Sequence, residues 1–161
     1  MSNSDEATAA KIGPCEAPVP IDRCGMAVAA RMLMEKWTML IVREAFYGVA
    51  RFEDFLQDLD IPRSVLTTRL KQLVSDDILV RVPYQPEGAR LRHGYVLTRK
   101  GHELGLVILA LMQWGDQHVF DGKSAIRVTE KATKKDLKVA LVPAEDPTPG
   151  LAEIEIVILD R

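Results

Sequence analysis

Arg63, Ser64, Thr67, Thr68 and Lys71 stand at i, i+1, i+4, i+5 and i+8, and share one exposed strip if residues 62–76 are helical. No Asp or Glu lies between Arg63 and Ser75, whereas a solvated helix face usually mixes both signs. Hydroxyls and cations without acids suit phosphate oxygens and the acceptors on major-groove base edges. Arg81, Arg90 and Arg92 fall at or near a turn-rich stretch, and Arg90 and Arg92 are expected to contact phosphates. Arg51, just before Phe52, fits a phosphate contact or a structural ion pair. Arg69, at the edge of an apolar stripe, could pair with an acid or reach a phosphate.

Cys24 is a candidate of another kind. It stands near the start of an apolar helical stretch, and a helix N-terminus favours the reactive thiolate. The competing role is a small buried filler. Cys15 lies in a polar lead-in and could act only as its resolving partner. His93, His102 and His118 are scattered, and no Cys/His set has metal-ligand spacing. Gly122-Lys123-Ser124 ends like a phosphate-binding loop, but Gln117 stands where its first Gly is needed. Neither GxSxG nor GxGxxG occurs. No enzyme, metal site or cofactor is expected.

The elements that must position these residues follow from apolar periodicity. Met26, Ala29, Ala30, Leu33 and Met34 share a helical face, with Asp22 as N-cap. Trp37, Leu40, Ile41, Ala45 and Phe46 form a second stripe closed by Gly48, with Trp37 read as core. RFEDFLQDL predicts a third helix with Phe52, Phe55, Leu56 and Leu59 inward. A short connection leads to the helix over 62–76, which has Pro62 in its first turn. The period then drops to about 2, and ILVRVPY, QPEGAR and RHGYVLT predict a β-hairpin. Helix, short connection, helix with a cationic face, basic hairpin is the order of a winged helix-turn-helix.

Residues 101–120 predict one long helix that is apolar on more than one face, with an unbroken apolar run from Leu106 to Met112. Such a helix needs a second burying surface, which we assign to a second copy of the chain. A two-fold dimer would present two recognition helices to a pseudo-palindromic site. Beyond it, AIRVT, DLKVALV and AEIEIVIL predict a small antiparallel meander, the last two runs separated by AEDPTPG.

The chain has 161 residues, 47% apolar and 27% charged, which is ordinary for a globular protein with one principal domain. Its net charge of −2 hides a basic middle: residues 61–105 carry eight Lys/Arg against four Asp/Glu. That is a mild footprint for a polyanion. The polar, acidic N-terminus is no secretory signal, and no apolar run approaches the roughly 20 residues of a membrane helix. A cytoplasmic location with reduced thiols is expected.

Residues 24–115 resemble the HxlR family of bacterial winged-helix regulators. The ordered features are Cys24; Lys36-Trp37, Leu40-Ile41 and Arg43-Glu44; Gly48, Arg51-Phe52 and Phe55; Ile61, Leu66-Thr67, Arg69-Leu70 and Leu73; Asp76, Ile78-Leu79 and Arg81; Tyr84, Arg90, Tyr95 and Leu97-Thr98; then Gly101 and Trp114-Gly115. The resemblance implies a DNA-binding regulator that needs no cofactor and dimerises through its terminal helices. It also implies that Cys24 could sense oxidants or electrophiles, as in some members. Asp77 departs from the family's usual Gly, and Leu91 from its frequent Pro.

The expected fold is mainly α with a β-hairpin wing, a winged helix-turn-helix carrying a small strand-rich C-terminal extension. The expected divisions are a lead-in (1–20), the DNA-binding and dimerisation domain (21–120) and the extension (121–161). The expected function is sequence-specific regulation by a homodimer on double-stranded DNA, with thiol-based or small-molecule control as an addition. An effector pocket would lie between the long helix and the core. The alternative is a winged-helix protein-interaction or ligand-binding module that does not read DNA.

Overall fold

The computed structural model describes residues 19–159 other than 87, 89 and 149. Cys15 and nearly all of the 1–20 lead-in lie outside the described residues. The chain forms two units, one ending at Met34 and the other beginning at Glu35.

In the first unit a 3-10 turn, Ile21–Arg23, precedes helix α1, Gly25–Leu33. The expected N-cap Asp22 sits inside that turn instead, and the helix is capped by Cys24 in extended conformation. The reason is local. The Arg23 and Cys24 amides donate to Pro20 O and Ile21 O, so the first α-helical bond begins only at Cys24 O, which accepts from Val28 N.

The second unit opens with α2, Lys36–Phe46, and α3, Phe52–Leu59. Glu35 caps α2, its Oε2 accepting from the Trp37 and Thr38 amides at 3.1 Å each. Trp37 is half-buried rather than fully core, with the Lys36 ammonium 4.4 Å from its ring centre. Helix α4, Arg63–Ser75, is followed by strands β1, Leu79–Tyr84, and β2, Arg92–Leu97, which pair antiparallel with Leu79 opposite Leu97 and Tyr84 opposite Arg92. Ile41, Val42, Phe55, Leu66, Leu70, Leu73, Ile78 and Leu79 make the core of this unit. Most of these positions come from the predicted apolar stripes.

Glu44 is the charged member of that core. Burial pushes its carboxyl above the usual carboxylate value; the adjacent Arg43 guanidinium opposes this, and Asp58 adds to it. The folded protein thus holds this proton more tightly than the unfolded chain. The site's contribution to stability is complete in acid and is lost as pH rises through the raised folded-state value. Glu44→Gln keeps the shape without the charge. It is expected to raise the urea midpoint near neutral pH, with a gain that shrinks toward about pH 4.5. An equal gain at both pH values would contradict this assignment.

The expected single helix over 101–120 is two helices, α5, Arg99–Glu103, and α6, Gly105–Val119. Each is pressed against a different neighbour through a glycine. A Cβ on Gly101 would lie 2.2 Å from Ile78 O, and one on Gly105 would lie 2.3 Å from Phe46 Cζ. Between them the Leu104 amide takes the tighter bond to Gly101 O, at 3.1 Å.

In the extension, β3, Ile126–Glu130, pairs antiparallel with β4, Ile154–Ile158. The predicted middle strand over 136–142 is reduced to a single bridge between Thr129 and Asp136. Gln113 of α6 explains the change. Its side-chain amide accepts from Val139 N at 2.9 Å and donates to Val139 O at 3.0 Å, occupying the groups a strand partner would use.

Candidate nucleic-acid interface

Helix α3 stops because Asp60 adopts the left-handed conformation, at φ 48. Ile61 is then buried, and Pro62 starts α4 by accepting from Leu66 N. This tight turn sets α4 on the core through Leu66, Leu70 and Leu73, which leaves Ser64, Thr68, Lys71 and Gln72 exposed on the opposite side.

The predicted strip therefore forms, but its members differ. Arg63 turns toward the preceding helix. Its Nη2 donates to both Glu53 carboxylate oxygens, at 3.0 and 3.2 Å, and its guanidinium lies 5.1 Å from the Phe52 ring centre. Thr67 is half-buried, and its hydroxyl donates to Arg63 O at 2.8 Å. The exposed Thr68 hydroxyl donates likewise to Ser64 O at 3.0 Å. Ser64 and Lys71 are exposed, and Lys71 makes no ion pair among the described residues. Gln72 continues the strip and donates to Asp76 Oδ1 at 2.9 Å. Sequence reasoning passed over Gln72, although its position one residue beyond Lys71 was signal enough.

Arg69 stands apart from the strip. Its Nε lies 3.1 Å from Glu35 Oε2, too poorly aligned to count as a hydrogen bond, so that it ties α4 electrostatically to the capped end of α2. Arg51 caps α3 and lies 3.7 Å from Asp54, a loose and exposed pair that leaves its cation accessible.

The hairpin is anchored by backbone. Tyr95 N donates to Ala50 O at 2.8 Å, and Gly94 approaches so closely that a Cβ there would lie 3.1 Å from the same oxygen. At its base, Asp77 takes φ 57, a conformation for which Gly is the usual residue and Asp a tolerated one. Thr98 Oγ1 donates to Asp77 O at 2.6 Å and accepts from Gly101 N, locking the end of β2 to the turn before β1. Arg90 and Arg92 are exposed on this hairpin without an ion pair among the described residues. The second unit thus carries the α4 strip, Arg51 and the hairpin arginines, while Cys24, half-buried and a free thiol, belongs to the first. Among the described residues no group of His, Cys, Asp or Glu side chains could hold a metal ion, and no helix is long and apolar enough to cross a membrane.

Comparison with known proteins agrees with this arrangement. The profile described as HxlR-like helix-turn-helix matches residues 32–122. An uncharacterized HTH-type transcriptional regulator of Mycobacterium tuberculosis, Rv3095, is 45% identical over 91 residues, which are 56% of this chain and 56% of that protein. The chain thus aligns with little more than half the length of this relative. The crystal structure of PA1607, a candidate transcription factor, superposes with a TM-score of 0.65 at 32% identity, over 78% of this chain and 87% of that one. The reduced form of the Bacillus subtilis transcriptional regulator YodB superposes with a TM-score of 0.52 at 27% identity, over 62% of this chain and 98% of that one.

Proposed function

This chain belongs to the HxlR-like helix-turn-helix family, whose matched relatives are transcriptional regulators rather than enzymes, and from that premise we propose that it binds double-stranded operator DNA as a homodimer and regulates transcription in the cytoplasm. The observation that carries the reading is the outer face of α4. It presents Ser64, Thr68, Lys71 and Gln72 to solvent, follows a tight turn and is succeeded by a basic hairpin. Side chains of these kinds match base-edge acceptors and donors, while Arg51, Arg90 and Arg92 suit phosphates. Arg63 acts mainly as the brace between α3 and α4, and reaches phosphate only by exchanging Glu53 for it. Thr67 serves the same helix end through its hydroxyl's bond to Arg63 O.

Support for the dimer comes from α6. Its inner side buries Gly105, Ile108 and Leu109, while Leu106, Val107, Leu111 and Trp114 are exposed, the last at 62%. A contiguous apolar stripe of this kind is characteristic of an interaction surface.

The test is fluorescence anisotropy with the duplex upstream of the protein's own gene, at two salt concentrations and with scrambled competitor. Tight binding that weakens steeply with salt and resists the competitor is the expected result. Absence of binding at low salt, with generic duplex also unretained, would favour a protein-interaction module. Within the complex, Thr68→Ala is expected to relax base preference, and Arg92→Ala to weaken binding to all duplexes alike and flatten the salt slope by about one. Uniform weakening by both would abolish the division between reading and anchoring side chains.

Control through Cys24 extends this proposal. Its position as N-cap of α1 and the likeness to a regulator described in a reduced form support it. The expected outcome is that peroxide or a quinone changes operator affinity of the wild type and leaves Cys24→Ser unchanged. If both respond alike, Cys24 is a packing residue.

A further inference from the structure

Besides the α4 face, the second unit has a cavity of about 1000 Å³ between α6 and the extension. One wall is Leu109, Met112 and Asp116 of α6; the other is Val128 of β3 and Ile154 of β4, with Val139 across the top. This is the side of α6 away from Trp114, which does not line the cavity. It also differs from the expected location between the long helix and the core. Its size is at the upper end of the range for sites that enclose small organic ligands, about 300–1000 Å³.

Two features make it a built site rather than a loose surface fold. The covering segment is held at one point by the reciprocal bonds between Gln113 and Val139, so α6 and the roof keep a defined separation. The charges around the cavity are also unequal in their partnerships. Arg127 is 3.6 Å from Asp136, and the two offset each other. Asp116, half-buried, and Asp121, exposed, also border the cavity and have no ion-pair partner among the described residues. Lys138 is the remaining cation of the lining, and it is exposed. The balance favours a positive group beside an apolar body.

We propose that the cavity between α6 and the β3–β4 extension binds a small apolar cation, such as a lipophilic amine or quaternary ammonium compound. The apolar part lies among Leu109, Met112, Val128 and Ile154, and the cationic group faces Asp116. If the protein is the regulator proposed above, this ligand is its effector, because α6 carries both the cavity and the dimer stripe, and Leu106 of the stripe also borders the cavity. The binding itself does not depend on that reading.

The experiment is calorimetric titration of the full chain with octyltrimethylammonium, tetramethylammonium and octanoate, each below its micellar concentration. One octyltrimethylammonium per chain is expected to bind, with tetramethylammonium and octanoate each at least about tenfold weaker, tenfold being about 1.4 kcal/mol. Asp116→Asn should lose roughly tenfold for the cation and nothing for octanoate. Ala140→Trp, which places a ring at the roof, should abolish uptake with the circular dichroism unchanged. No uptake by folded wild type, equal uptake of cation and anion, or unchanged binding by both variants would overturn the proposal. Anisotropy on the same preparations separates the two claims: cation uptake without operator binding removes the regulator reading alone, and operator binding without uptake removes the cavity reading alone. A cavity occupied by a second copy would appear as uptake only on dilution to monomer, which also overturns it.

Discussion

Leu111→Glu is expected to sediment as a monomer and to lose at least about a hundredfold in affinity for a duplex with two half-sites. Leu111 is 49% exposed in the single chain and lies within the stripe of Leu106, Val107 and Trp114, so the substitution leaves the core of the chain untouched. In an isologous interface each copy presents the same patch to the other. One substitution therefore places two carboxylates in an apolar contact, and burying either without a partner costs several kcal/mol. The hundredfold loss has a separate origin. A dimer's second recognition helix binds at the high effective concentration set by the first, and a monomer lacks that advantage. Affinity for a single half-site should be unchanged, which separates loss of pairing from loss of fold. A Leu111→Glu protein that remains dimeric would move the interface away from α6, and unchanged operator affinity in a monomer would remove the two-half-site proposal.

Gly101→Ala is expected to destabilise the protein by about 3 kcal/mol, toward the upper end for an overpacked position. For a chain of this length that corresponds to a melting point lower by roughly 10 °C. The added Cβ would stand 2.2 Å from Ile78 O and 3.0 Å from Leu97 Cδ2. The first is a backbone oxygen that already accepts from Thr98 N at 3.0 Å, so relief requires moving α5 off the base of the hairpin. In an open helix position the same change would stabilise by up to about 1 kcal/mol, because alanine suits helices better. Gly25→Ala supplies that control, since a Cβ there meets nothing within 4 Å. Equal melting points for the two variants would show that the contact of Gly101 with Ile78 yields without cost. The hairpin is tied to this contact through Thr98, so Gly101→Ala should also weaken binding to all duplexes if the hairpin grips phosphate.

Part of this site was legible because period and spacing act locally. A face of small polar and cationic side chains opposite Leu66, Leu70 and Leu73 can point only outward once those leucines are buried. Gln72 is equally legible, since it follows Lys71 directly and faces away from the same leucines. The pairing of Arg63 with Glu53 was not available. The two are ten residues apart on different helices, and their meeting depends on the angle set by Asp60 in its left-handed conformation. The missing strand over 136–142 has the same kind of cause. Its alternation of apolar side chains was real, but a glutamine on α6 took the backbone groups. The break at Leu104 arose from two glycines, each needed against a different neighbour.

The amino-acid sequence by itself determined the helix-turn-helix order, the acid-free strip, the hairpin and the surplus of apolar surface on α6, because each is a pattern within one segment or between adjacent ones. Only the tertiary structure decided which cations stay exposed, where α5 and α6 divide, and that a cavity bordered by Asp116 separates α6 from β3 and β4. Those outcomes depend on which distant groups meet, and hydrogen bonding and close packing reward a meeting only when the intervening chain has already set the distance.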